Sequence, residues 1–234
     1  MHKIIALAIL AVSALSAAAQ QIDFDRIKRE IPDLDQIRKE TYDRNSPYYY
    51  PRLMKEFQRN DTLMKLDKYR RLYIGYMFQE DYNPYRVSAF SNDVQSIADP
   101  TRLTHQQCDS IISQSNRALS DNPFDLNQME NLIAALRQRG QTALADIWQY
   151  KFNYILMAIV STGTGIDEEN AWFVIEPQHE YVLLNKMGLT ITNHIFYEPY
   201  FEFLKVKHDG ATGGVYFNIQ GILEEYYRKF PDEA

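Results

Sequence analysis

The side chains with the widest chemical range in this sequence fall in one short polar stretch, Gln79-Glu80-Asp81-Tyr82-Asn83-Pro84-Tyr85-Arg86. Adjacent Glu80 and Asp81 offer two carboxylates that could serve as acid and base, or hold a cation such as Ca²⁺. Neighbouring residues point different ways, however, and the spaced oxygen ligands of an EF-hand loop are missing, so a structural or capping role is the simpler expectation. Hydrolysis at Glu80 or Asp81 would need a histidine brought in from elsewhere. Beyond residue 19 the histidines are His105, His179, His194 and His208, none in H-E-x-x-H or another paired ligand spacing, and no serine sits in a G-x-S-x-G elbow. Gly163-x-Gly165 lacks the third glycine of a dinucleotide fingerprint and reads as a linker. These patterns predict no metal and no cofactor.

Tyrosine is the more suggestive residue. Nine of the 17 lie between Tyr42 and Tyr85. A tyrosine ring offers a flat apolar face with a hydroxyl at its rim, the make-up of a sugar- or peptide-binding surface. The candidate surface is Tyr48, Tyr49, Tyr82 and Tyr85 with Glu80 and Asp81. Against this, Leu66, Tyr69, Leu72, Tyr73 and Tyr76 recur at helical spacing, where rings are ordinarily packed. A second aromatic group, Trp172, Phe196, Tyr197, Tyr200 and Phe201, could form an exposed patch, with strand-edge packing the simpler reading. Cys108 shares helical spacing with Ile111, Ile112, Ser115 and Leu119, which predicts a buried, inert thiol.

These residues must be positioned by two kinds of structure. From residue 20 to about 161 the apolar periodicity is helical. Short helices are predicted over Ile22 to Glu30 and Asp33 to Tyr42, then an extended turn over Ser46 to Pro51, where each proline biases its predecessor away from helix. Thr104 with Gln107 three residues on forms a capping box for a helix reaching about Leu119. Asn122-Pro123 breaks it. Leu126 to Leu136 and Ala145 to Ile159 then mark two helices separated by Gly140, a hairpin similar to one tetratricopeptide unit.

After Thr162-Gly163-Thr164-Gly165 the pattern changes. Trp172 to Ile175 reads as a strand and Tyr181 to Met187 as a helix ended by Gly188. Leu189 to Thr192, Leu204 to Lys207 and Val215 to Ile219 alternate with period two. Asp209-Gly210 and Gly213-Gly214 are expected to supply the turn between the last two strands, and a helix with Ile222, Leu223, Tyr226, Tyr227 and Phe230 on one side follows. The predicted class is α+β: a mainly helical region over 20–161, then a small C-terminal β-sheet with a terminal helix over 162–234.

The N-terminus bounds the compartment. Lys3, an apolar run from Ile4 to Leu15 and Ser16-Ala17-Ala18-Ala19 before Gln20 have the three regions of an export signal, which predicts a signal peptide at 1–19 and a periplasmic or secreted mature chain. Lipid anchoring would need a cysteine directly after the signal, and Cys108 lies far downstream, so a lipoprotein is not expected. One cysteine makes no internal disulfide. The net charge is −6, one unit more negative without Lys3, and no basic run could follow a phosphate backbone. These grounds argue against nucleic acid as a partner. No apolar run in the mature chain is long enough for a membrane span.

Several stretches together carry a resemblance. Ser46-Pro-Tyr-Tyr-Tyr-Pro-Arg-Leu53, the run from Tyr69 to Tyr85, Asn122-Pro-Phe-Asp-Leu126 and Gly214-Val-Tyr-Phe-Asn218 resemble a family of exported bacterial proteins catalogued as domain of unknown function 4919. The resemblance covers essentially the whole mature chain except the aromatic segment Asn193 to Tyr200. It implies export and a helical-plus-β organisation, and it brings no known activity. The residues therefore point to a non-catalytic binding module for an envelope protein, peptide or glycan, with an envelope hydrolase using Glu80 or Asp81 and a histidine as the alternative.

Overall fold

The computed structural model describes residues 27–90 and 103–233. The signal-peptide reading of 1–19 and most of the helix expected over Ile22 to Glu30 lie outside them. The first helix described, α1 (Leu34–Tyr42), starts where the Asp33 carboxylate accepts the Gln36 N–H at 2.9 Å, closing a free first-turn amide. Pro51 opens α2 (Tyr50–Gln58) and the aromatic stripe forms α3 (Leu66–Tyr76). The Thr104/Gln107 capping box read from the sequence is formed at the start of α4 (His105–Asp121). Asp125 caps α5 (Leu126–Gln138), Gly140 takes the left-handed turn (φ +74°), and α6 (Thr142–Val160) returns along α5. Helix α3 packs on α6, with α1 and α2 against α3.

The C-terminal part holds β1 (Trp172–Phe173), α7 (Gln178–Lys186), β2 (Thr190–Tyr197), β3 (Phe201–His208), β4 (Ala211–Asn218) and α8 (Gln220–Lys229). Strand order is β1-β4-β3-β2, with β1 parallel to β4 and the other pairs antiparallel. The class is α+β, helical in the N-terminal two-thirds with a four-stranded sheet and a terminal helix after it. One apolar core runs through both parts, from Ile37 and Leu53 through Leu132 and Ile155 to Leu204 and Phe217. Among the described residues no helix is long and apolar enough to cross a membrane. Cys108 is buried, as its spacing predicted.

Four local expectations differ. Residues 27–30 are not helical: Pro32 holds Ile31 away from the helical region, and the extended chain is tied down instead, the Glu30 N–H donating to the Ser161 carbonyl at 2.8 Å while Arg70 donates to the Glu30 carbonyl. Helix α7 starts three residues before Tyr181, because Pro177 (φ −58°) is already set for a first turn. Strand pairing at Trp172 to Ile175 stops after Phe173, since the Ile175 N–H donates to the Tyr73 hydroxyl rather than to a strand. Gly213-Gly214 is no turn. Asp209 (φ +47°) and Gly210 (φ +82°) make the two-residue hairpin alone, while Gly214 lies inside β4 under the Phe203 ring, where an added Cβ would sit 1.9 Å from Phe203 Cζ.

Candidate functional site

The six residues singled out in the sequence divide between core and surface. Tyr82 is buried, its hydroxyl donating to the Ile175 carbonyl at 2.6 Å, so it anchors the loop and presents no face to solvent. Tyr48 and Tyr49 are half-buried; the Tyr48 hydroxyl donates to Asp67 at 3.1 Å, and the Arg71 guanidinium lies 4.8 Å above the Tyr48 ring. Glu80 and Asp81 are exposed, and among the described residues no histidine reaches either carboxylate. The stripe residues Tyr69, Tyr73 and Tyr76 are all buried, as is Tyr50.

Tyr85 alone of the six is an open ring, 50 % exposed. It meets Tyr226 edge-on at 5.0 Å, and Tyr226 in turn contacts Tyr227 at 5.8 Å and Phe230 at 4.9 Å. Helix α8 makes this cluster by carrying Tyr226 and Tyr227 in its last turn and Phe230 at its C-cap, and Lys229 fixes the loop against it. The Lys229 ammonium donates to the backbone carbonyls of Gln79, Glu80 and Tyr82. The loop carrying Tyr85, Glu80 and Asp81 is thus held by the same helix that supplies the other three rings. Of the second aromatic group, Trp172 is buried with its indole N–H on the Gly163 carbonyl, whereas Phe196 and Tyr197 are exposed.

Beneath the surface lies a closed polar network. The Tyr73 hydroxyl accepts the Ile175 N–H and lies 2.7 Å from His179 Nδ1, whose Nε2 is 2.9 Å from the Phe124 carbonyl. A carbonyl only accepts, so Nε2 carries the proton and the Tyr73 O–H donates to Nδ1. Burial lowers the His179 pKa to about 3, consistent with that neutral ring. Glu176 accepts from Asn122 at 2.8 Å and Gln178 at 2.6 Å, and burial raises its carboxyl to about 8. The Asn122 side chain also accepts the Phe124 N–H, so the Asn-Pro break joins α4 and α5 to the segment before α7.

One turn further along α7 the arrangement changes. Glu180 is fully buried, and neither of its side-chain oxygens has a hydrogen-bond partner. It faces Glu202 from β3 and His194 from β2, and one ligand atom from each of the three lies within 4.8 Å of the others. His194 Nε2 is 3.1 Å from Glu202 Oε2, without the alignment of a hydrogen bond, while Nδ1 is 3.3 Å from the Tyr181 hydroxyl. Burial, then Glu202, pushes the Glu180 carboxyl well above its ordinary range. Glu202 also raises the Tyr85 hydroxyl, second to burial, which puts the cluster within electrostatic reach of the open rings. The sequence patterns missed this set because its members lie 14 and 8 residues apart on three elements, and only the pairing of β2 with β3 under α7 gathers them.

The loop and network that form these features coincide with the sequence stretches Tyr69 to Tyr85 and Asn122 to Leu126. The family model described as domain of unknown function DUF4919 matches residues 35–228. The chain belongs to the DUF4919 family. In this DUF4919 chain the matched span takes in the eight α-helices of the described residues, except Leu34 at the start of α1 and Lys229 at the end of α8, and the four strands. No curated protein and no solved structure matches it.

Proposed function

We propose that the protein is an exported, non-catalytic binding module that takes a peptide, protein or glycan on the aromatic surface formed by Tyr85, Tyr226, Tyr227 and Phe230. The observation that carries this reading is the exposure of Tyr85, Tyr227 and Phe230 around the Tyr226 ring on a loop and helix fixed to each other by Lys229. Rings already held in place lose little freedom on binding, so their contact area turns into affinity with a small entropic loss. Exposed Glu80 and Asp81 provide acceptors at the rim for the hydroxyl or amide groups of a polar ligand. Export follows from the segment Lys3 to Ala19.

Two experiments test it. Mass spectrometry of the chain expressed in its own host should find a mature N-terminus at or near Gln20 outside the cytoplasm; an intact Met1 terminus in the cytoplasm overturns the exported part. Titration of the chain with envelope and plant oligosaccharides and with peptide pools, followed by tyrosine fluorescence, should give a saturable ligand whose affinity falls at least about 10-fold in Tyr85→Ala and Tyr227→Ala. Undiminished binding in both variants rules out this surface.

A further inference from the structure

We propose that Glu180, His194 and Glu202 form a binding site for one first-row divalent cation, of which Zn²⁺ is the probe of choice. This stands whether or not the aromatic surface binds a ligand.

Buried acids elsewhere in the fold are each given partners. Glu176 has two side-chain amide donors, and Glu225 has Arg38 and Arg228. Glu180 has neither donor nor cation, although it is completely buried. Beside it lies the Glu202 carboxylate, which adds repulsion when both acids are ionised and offers a hydrogen bond only while one of them keeps a proton. A divalent cation removes both difficulties at once, by accepting lone pairs from the two carboxylates and neutralising their charge.

The third member decides the kind of cation. His194 brings an imidazole nitrogen to the same few ångströms, and imidazole with carboxylate suits Zn²⁺ or Mn²⁺ better than the all-oxygen shell that Ca²⁺ or Mg²⁺ takes. With Nε2 on the metal, Nδ1 carries the ring proton and donates to the Tyr181 hydroxyl 3.3 Å away, the outer contact that orients a ligating histidine. Each ligand comes from a different element: α7, β2 and β3. The half-exposed His194 and Tyr181 leave a way in from solvent, and water completes the coordination. A bound ion would tie the edge strand β2 and its neighbour to α7.

The full chain, freed of metal with EDTA and dialysed, is titrated with ZnCl₂, MnCl₂ and CaCl₂ by calorimetry and by thermal unfolding. The proposal expects one Zn²⁺ per chain, a rise in melting temperature of about 5 °C or more at saturation, and a weaker response to Ca²⁺. His194→Ala and Glu180→Gln should each weaken Zn²⁺ binding by at least about 10-fold, and Tyr181→Phe by less. His194 sits on an exposed edge strand, so its variant keeps the test decisive if Glu180→Gln fails to fold. Absence of saturable binding up to 1 mM Zn²⁺, or unchanged affinity in His194→Ala, overturns the site. So does a wild-type chain that ignores Zn²⁺ while metal-free Glu180→Gln is no more stable than it, since the two acids would then be sharing a proton.

Discussion

Lys151 in the middle of α6 is 3 % exposed, yet its ammonium meets rings rather than carboxylates, 4.2 Å from the Trp148 centroid and 4.5 Å from that of Phe57. Burial alone brings its pKa down from 10.5 to about 8. At ~1.36 kcal/mol per unit, that shift corresponds to about 3 kcal/mol against the charged form. Attraction to the two ring faces returns ~1–2 kcal/mol. Lys151→Met keeps the stem and removes the charge, so the variant should be more stable at pH 7 by about 1–2 kcal/mol, or roughly 2–8 °C in melting temperature. The sign with pH follows from proton counts. Between pH 8 and 10.5 the folded lysine is neutral while the unfolded one is still charged, so the unfolded state binds more protons and wild-type stability rises with pH across that window. The advantage of the variant is therefore full below pH 8 and gone above pH 10.5. Urea unfolding of both proteins at pH 7, 9 and 10.5 measures it. A variant less stable than wild type at pH 7, or a difference that does not change with pH, refutes the account and makes the ring contacts dominant.

Tyr73→Phe removes the hydroxyl shared by the Ile175 N–H and His179 Nδ1, leaving two buried groups unpaired, and should lower unfolding free energy by ~1–3 kcal/mol in chemical denaturation. Gly214→Ala puts a methyl into the Phe203 ring and should destabilise by ~1–3 kcal/mol, a loss that Phe203→Ala in the same chain partly reverses when the double variant is melted beside the single ones. Glu176 is held at about 8 against an ordinary 4.5, so the folded state binds the extra proton: its contribution is full below pH 4.5 and is lost as pH rises toward 8. The stability of wild type relative to Glu176→Gln should fall across pH 4.5 to 8 in parallel denaturant titrations, and a flat difference counts against a protonated Glu176.

Local signals in the sequence carried the helical part well. The Asn-Pro break, Gly140 and the Thr104/Gln107 box each act within a few residues, and each sits at the boundary it predicted. Periodicity also indicated that the tyrosines of α3 would be packed, as Tyr69, Tyr73 and Tyr76 are. It failed at Gly213-Gly214, because a glycine pair reads equally as a turn and as space for a ring on the next strand; the partner, Phe203, is 11 residues away and known only once β3 and β4 are in register. Tyr82 and Tyr85, three apart in one loop, differ for the same kind of reason. One hydroxyl finds a carbonyl 93 residues on, and the other ring meets Tyr226 of α8 edge-on.

Which buried acid would lack a partner was out of reach of sequence for a deeper reason. Glu80 and Asp81 drew notice by adjacency, whereas the chemical meaning of a carboxylate lies in what compensates it. Glu176 and Glu180 stand one helical turn apart on either side of His179, and spacing does not distinguish them. Glu176 faces the Asn122 and Gln178 amides and is closed into the scaffold. Glu180 faces β2 and β3, where the opposing residues are another acid and a histidine with solvent beyond. A fold that gives Glu176 and Glu225 dedicated donors, and leaves Glu180 facing a carboxylate and an imidazole, has left one fully buried acid without a dedicated partner. That asymmetry, more than any motif, is why a Zn²⁺ titration of the wild type beside Glu180→Gln and His194→Ala is the experiment to start from.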